Sequence, residues 1–132
     1  WVRSTFSAFG TIGSAMTYDT GIFTFPQTGI WEIYYQLMSH DSTENAHSWI
    51  WIEFTTNNSS YTSLVESADA IPDDGSETTY ANPNVTCTFD VQDTSNYKVK
   101  FLVNNQQGAN ITGGGAGGPL KTGAIFKRIG DT

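Results

Sequence analysis

Two histidines and two carboxylates fall close together in this chain, as His40, Asp41, Glu44 and His47. Imidazole and carboxylate groups gathered in one short connection can bind zinc, nickel or similar ions. Their spacing matches no defined metal motif, and solvated loops collect such residues without binding anything, so no metal is expected. A second acidic stretch carries Glu66, Asp69, Asp73, Asp74 and Glu77. Calcium takes roughly six to eight oxygen ligands, and Asp73-Asp74-Gly75 is not an EF-hand loop, so the segment from Glu66 to Glu77 reads as a long, solvated, irregular loop. The chain's 13 acids offer many of the carboxylate pairs a glycosidase would need, but no pair stands in a recognisable setting. Cys87 alternates with Val85 and Phe89, which points it into a core as a small hydrophobe. A nucleophilic thiol needs a base at hand, and both histidines are distant in sequence. The run from Gly113 to Gly118 lacks the Lys-Ser/Thr of a phosphate-binding loop and opens no helix; it reads as a flexible connection. Asn57, Asn58, Asn84 and Asn110 each begin an Asn-x-Ser/Thr sequon, which matters only on a eukaryotic secretory route. No catalytic residue and no cofactor is expected, and the chain reads as a binding module instead of an enzyme.

Charge removes further classes. The formal net charge is −7, and the basic residues are Arg3, Lys98, Lys100, Lys121, Lys127 and Arg128 alone. Nucleic-acid binding needs a basic footprint that displaces counterions, and none exists here. Anionic membranes are disfavoured on the same ground, and no apolar run approaches the roughly 20 residues that span a bilayer. Charged residues are only 14% of the chain, against roughly 25% in ordinary soluble domains, so Thr, Ser, Asn, Gln and Gly must carry the surface. A single cysteine makes no internal disulfide, so the fold must stand on its core or on subunit contacts. The chain opens at Trp1 without a methionine, which suits a processed product or an excerpt of something longer.

The elements that must position any site are strands. No apolar helical period persists, whereas period-2 alternation recurs, the signature of a half-buried strand. Trp31, Ile33, Tyr35 and Leu37 alternate with Glu32, Tyr34 and Gln36; Val85, Cys87, Phe89 and Val91 with Thr86, Thr88 and Asp90; Tyr97, Val99, Phe101 and Val103 with Lys98, Lys100 and Leu102. Turn-forming clusters such as Asp19-Thr20-Gly21, Pro26-Gln27-Thr28-Gly29 and Asn82-Pro83-Asn84 punctuate these runs. The pattern predicts strands near 2–8, 22–25, 30–39, 48–56, 61–66, 78–80, 85–91, 97–104 and 122–129, in one domain over residues 1–132. Short strands at this spacing favour a sandwich or barrel. Phe23, Trp31, Ile33, Tyr35, Leu37, Ile50, Ile52, Cys87 and Phe89 are the expected core. Trp49 and Trp51 alternate with Ile50 and Ile52, so one strand is apolar on both faces, which burial on one side does not explain. One face is expected to fill the core and the other to meet a neighbouring subunit.

The stretch from Tyr18-Asp19-Thr20-Gly21-Ile22-Phe23-Thr24-Phe25 through Pro26-Gln27-Thr28-Gly29-Ile30-Trp31 resembles the globular head of the complement C-one-q subcomponent and its tumour-necrosis-factor-like relatives. In that family a Tyr-Asp turn leads to a Gly-x-Phe strand, then Pro-x-x-Gly, then an aromatic-alternating strand. Thr5-Phe6-Ser7-Ala8-Phe9 is similar to its first strand, and Gly123-Ala124-Ile125-Phe126-Lys127-Arg128-Ile129 to its closing strand. Two departures are visible. Phe25 stands where many members carry cysteine, and Ser95-Asn96 where a Gly-Asp pair is common. The resemblance implies an all-β antiparallel jelly-roll sandwich that forms a compact homotrimer. Its inner sheet would hold the first, third, sixth and last strands, and both termini would sit at one end. Trp49, Trp51, Tyr97, Phe101 and Phe126 are then the candidates for the subunit interface.

Together these readings give a trimeric head of a structural or adhesion protein. The leading setting is a phage or virus fibre or capsid decoration, placed on a virion or extracellular surface. There it would meet a host surface glycan or protein, or other virion proteins. The alternative is a secreted or cell-surface recognition module on a collagen-like or coiled-coil stalk. Tyr61 and Tyr80 are aromatics that could stack on sugars or pack beneath the acidic loop.

Overall fold

The structure, a computed structural model, describes residues 1, 12–42, 45–72, 77–105, 109–113 and 119–132, with side chains 45 and 46 left aside. The expected first strand, with Thr5 to Phe9, lies outside the described residues, as do Glu44, Asp73, Asp74 and residues 114–118. Eleven strands follow one another: β1 (Thr17–Asp19), β2 (Ile22–Thr24), β3 (Gly29–Gln36), β4 (Ser39–Asp41), β5 (Asn45–Thr55), β6 (Thr62–Ile71), β7 (Thr79–Ala81), β8 (Asn84–Val91), β9 (Lys98–Asn105), β10 (Asn110–Ile111) and β11 (Gly123–Gly130). They form a five-stranded sheet ordered β1-β2-β9-β5-β6, a three-stranded sheet ordered β11-β3-β8 and a small third sheet ordered β10-β4-β7. Every pairing is antiparallel.

Local chemistry explains the first turns. Thr20 and Gly21 both take positive φ, 46° and 92°, the backbone of a two-residue hairpin turn whose twist matches the strands on either side. The Tyr-Asp-Thr-Gly stretch thus closes the β1–β2 hairpin. Gly29, at φ 136°, begins β3 in a conformation that side chains rarely adopt. Before β9, the Asp93 carboxylate accepts hydrogen bonds from the Ser95 amide (2.8 Å) and the Asn96 side-chain amide (2.6 Å). Those donors pull its carboxyl below the usual range, and they hold the Ser95-Asn96 turn.

The two larger sheets bury their facing sides against each other. From β3 come Trp31, Ile33 and Tyr35, all buried, with Leu37 just beyond; from β5 come Ile50 and Ile52; from β8, Val85, Phe89 and Val91; from β9, Val99. Ring pairs cross between the layers: Phe54 to Phe89 at 5.3 Å, Tyr35 to Phe101 at 4.9 Å and Phe23 to Phe126 at 5.5 Å. Such aromatic packing adds roughly 0.5–1.5 kcal/mol per pair beyond the area it buries. Burial without charge compensation drives the Tyr35 phenol up to about 12.

Several boundaries differ from the sequence reading, each for a reason in the ladder. The strand expected over 30–39 ends at Gln36. Beyond it the Leu37 amide donates to Pro83 O (3.0 Å) and the Met38 amide to Thr122 Oγ1 (3.0 Å), and the chain re-enters a different sheet as β4. The strand expected to stop at residue 66 runs on to Ile71, so Glu66 to Ile71 is not loop. β6 is the outermost strand of its sheet, paired only with β5 among the described residues, and acids on an edge strand remain in water while the backbone bonds. The 78–80 strand belongs to the small sheet, and β8 lies beside β3. β1 and β10, each two or three residues long, carry no alternation from which to read them.

Candidate binding surface

The residues singled out for chemistry do not converge. His40 lies on β4 in the small sheet, its Nδ1 2.8 Å from Thr112 Oγ1 and its ring 5.6 Å from that of Tyr80. His47 lies on β5 in the five-stranded sheet, 6.1 Å from the Trp49 ring. Asp41 ends β4, and Asp69 accepts a hydrogen bond from the Asn82 amide at 2.9 Å. Among the described residues no group of three His, Cys, Asp or Glu is placed to hold a metal. Tyr80 is exposed against His40, whereas Tyr61 is half-buried with Lys100 Nζ 3.5 Å above its ring centre.

Cys87 sits on the core-facing side of β8 opposite Ile33, half-buried at the edge of the main cluster instead of deep within it. Burial pushes its thiol up to about 11, away from the thiolate that a nucleophile requires. Iodoacetamide at pH 8 should therefore label Cys87 far more slowly in the folded protein than in denaturant. Equal rates, read by mass spectrometry, would show a reactive thiol.

The interface candidates divide by direction. Phe101 is paired with Ile52, and Phe126 with Ile33, so both rings face the interior of their own sandwich. There they pack on each other at 5.6 Å and on Phe23, while Trp1 lies 5.4 Å from Phe101. Tyr97 packs on Phe89 at 5.8 Å. The physical reason is strand period: each alternates in step with a core residue of the neighbouring strand. Trp49 and Trp51 behave differently. They point away from the core, while Ile50 and Ile52 between them are fully buried.

Two outward faces follow. On the five-stranded sheet, His47, Trp49, Trp51 and Glu53 make a stripe down β5, with the Trp rings 6.4 Å apart and Trp51 Nε1 donating to Glu53 Oε1 at 3.2 Å. Trp49 keeps 38% of its surface exposed because its cross-strand neighbours, Ala68 and Asn104, are short. On the three-stranded sheet, Tyr34 lies between Ile125 and Thr86, and Glu32 between Lys127 and Thr88. Ile125 and Ile129 are 46% and 49% exposed. The sequence reading missed these two isoleucines. The alternation of Ile125 and Lys127 against Phe126 was the available signal for the first; Ile129 sits at the register shift between Arg128 and Gly130, where the alternation breaks.

Comparison with known proteins enters at this point. No family model matches the chain, and no curated protein matches it. Solved structures do. Murine APRIL at pH 8.0 superimposes with a TM-score of 0.62 at 13% identity, over 89% of this chain and 77% of that one. Murine APRIL at pH 5.0 gives 0.62 at 16% identity, over 89% and 80%. Eiger TNF from S. frugiperda gives 0.61 at 15%, over 89% and 70%. At these identities the likeness is one of fold, and it agrees with the strand order traced above: the chain has the all-β, antiparallel jelly-roll fold of the TNF-like proteins.

Proposed function

We propose that this domain is a non-enzymatic recognition head that works as a homotrimer displayed outside the cell or on a virion. The observation that carries the reading is the pair of exposed aliphatic side chains, Ile125 and Ile129, on the last strand of a TNF-like sandwich. An isoleucine offers no hydrogen bond to a small ligand, so its exposure is best relieved by another protein surface. Assembly is therefore assigned to the outward face of the β11-β3-β8 sheet, not to Trp49 and Trp51 on the opposite sheet. Closing three copies around an axis turns three weak contacts with a surface into one strong attachment.

Two settings fit such a head. In one it ends a phage or virus fibre or decorates a capsid, touching host glycans, host proteins or other virion proteins. In the other it is a secreted or cell-surface module. The resemblance in fold to APRIL and Eiger TNF supports the cellular setting, and the acidic, Thr- and Asn-rich surface without disulfides supports the virion setting. Neighbouring Gly-x-y repeats in the encoding gene would mark the cellular setting, and fibrous β-repeats the virion.

Light scattering on the purified domain tests the assembly. Three chains of 14.4 kDa give about 43 kDa. Replacing Ile125 and Ile129 together by Asp should lower the mass to that of one chain and leave the β-sheet circular dichroism in place. A wild-type mass of a single chain at micromolar concentration would refute the trimer.

A further inference from the structure

We propose that Trp49 and Trp51, with Glu66, Asn104 and Ser63 around them, form a platform for an uncharged or amino-substituted saccharide chain. This gives the recognition role above a ligand class, and it rests on that role being recognition.

The platform has both halves of the chemistry a sugar ring needs. A pyranose is amphipathic: its C–H faces are apolar, and its rim is hydroxyl. An indole supplies a flat apolar surface with a polar edge, and Trp is used where one side must be apolar and the other wet. Trp51 is held in place through its N–H to Glu53, and Trp49 rises above the short Ala68 and Asn104 on either side. Two depressions flank Trp49. One of about 480 Å³ runs beside His47 and the 66–70 stretch of β6; the other, of about 150 Å³, lies among Trp49, Trp51, Ser63, Glu66 and Asn104. Trp49 and Glu66 line both, so the two adjoin at these side chains. Both are shallow and open, suited to a chain lying along the sheet more than to an enclosed small molecule. Carboxylate, amide and hydroxyl groups line them, the acceptors and donors that a rim of hydroxyls pairs with.

Charge narrows the class. Glu66 is exposed at the centre of the platform, and the chain as a whole carries −7. The two β9 lysines in register with this stripe are both held at its far end from Trp49: Lys100 lies opposite Glu53, seated over the Tyr61 ring, and Lys98 lies opposite Thr55, its Nζ donating to Thr94 O at 2.9 Å. Uronate, sulfate or sialate groups would therefore meet a negative surface, and like-charge juxtaposition selects against them. Hydroxyl-, N-acetyl- or amino-bearing sugars would not.

The experiment is calorimetric titration of the wild-type protein with three hexasaccharides: a β-linked glucose hexamer, an N-acetylglucosamine hexamer and a galacturonate hexamer. At least one of the first two should bind at millimolar concentration or below, and the galacturonate about tenfold or more weakly. Trp49→Ala should weaken binding by about tenfold or more, and Trp49→Phe should restore most of it. Glu66→Gln should narrow the gap between neutral and acidic hexamers. The proposal is overturned if neither neutral hexamer binds, if galacturonate binds as well as they do, or if Trp49→Ala leaves affinity unchanged. Mass by light scattering on the same samples separates the two ideas. Sugar binding by a wild-type monomer sinks the trimer and keeps the platform. A Trp49→Ala protein that falls from trimer to monomer assigns the indole to a second copy and overturns the platform.

Discussion

Phe25→Ala is expected to lower the free energy of unfolding by about 4 kcal/mol, the middle of the range for removing a buried aromatic ring. The ring is only 1% exposed and, one residue past β2, packs on the three-stranded sheet. It packs 5.3 Å from Trp31, 5.8 Å from Phe89 and 6.0 Å from Phe126. Removing it takes away the transfer energy of the phenyl group and leaves a cavity that β-sheet backbones on two sides close poorly. Phe25→Leu fills most of that space and should cost about half as much. Chemical denaturation at one fixed protein concentration checks both, because assembly makes stability depend on concentration. A loss under about 1 kcal/mol for the Ala variant would mean that the ring is not packed as described.

The second large effect belongs to a position with no side chain. Gly29→Val should destabilise the fold by about 3 kcal/mol or more, through strained backbone and overlap together. At φ 136° a Cβ would lie 2.6 Å from the carbonyl oxygen of Gly130, 2.5 Å from Arg128 Nε and 2.9 Å from Arg128 Cζ. The guanidinium could swing aside, but the carbonyl belongs to β11 and is fixed by its ladder with β3. Arg128 itself donates through Nε to Thr28 O at 2.9 Å and pairs with Asp131, so moving it releases the tie between the last strand and the start of β3. In a melting experiment the variant should lose on the order of 10 °C. Retention of the wild-type midpoint would show that the turn tolerates a side chain. Because β11 also carries Ile125 and Ile129, a displaced last strand should also reduce the fraction of the trimer proposed above, if that assembly forms through them.

How much could be read without coordinates depends on the length of each strand and on whether one face is buried. β3, with three core residues spaced by two, was legible because each of these inward positions is apolar and none of its outward ones needs to be. β8 was legible for the same reason. β6 was not: Glu66 and Asp69 looked like loop chemistry, although an edge strand holds such residues in water without leaving its ladder. β4, β7 and β10 are two or three residues each, and they exist because distant segments meet: His40 pairs across to Tyr80 on one side and Asn110 on the other. No local pattern encodes that meeting.

The candidate site followed the same division. That β5 is apolar on both sides was plain from Trp49-Ile50-Trp51-Ile52, and the alternation alone required one pair to lie outside the core. Which other side chains would surround the indoles was beyond any local reading. Glu66 and Asn104 lie far from the tryptophans in the chain, and only the β6–β5–β9 ladder sets them side by side. By itself, then, the order of residues determined strand character, the inward set on β3 and β8 and the turn at Asp19-Thr20-Gly21. Tertiary structure decided the company each outward residue keeps: Phe101 and Phe126 turned toward their own interior, Trp49 raised above short neighbours, Ile125 and Ile129 left facing water. Period-2 alternation says that a side chain points up or down, but register between strands distant in sequence is settled by packing, and it is register that builds a surface.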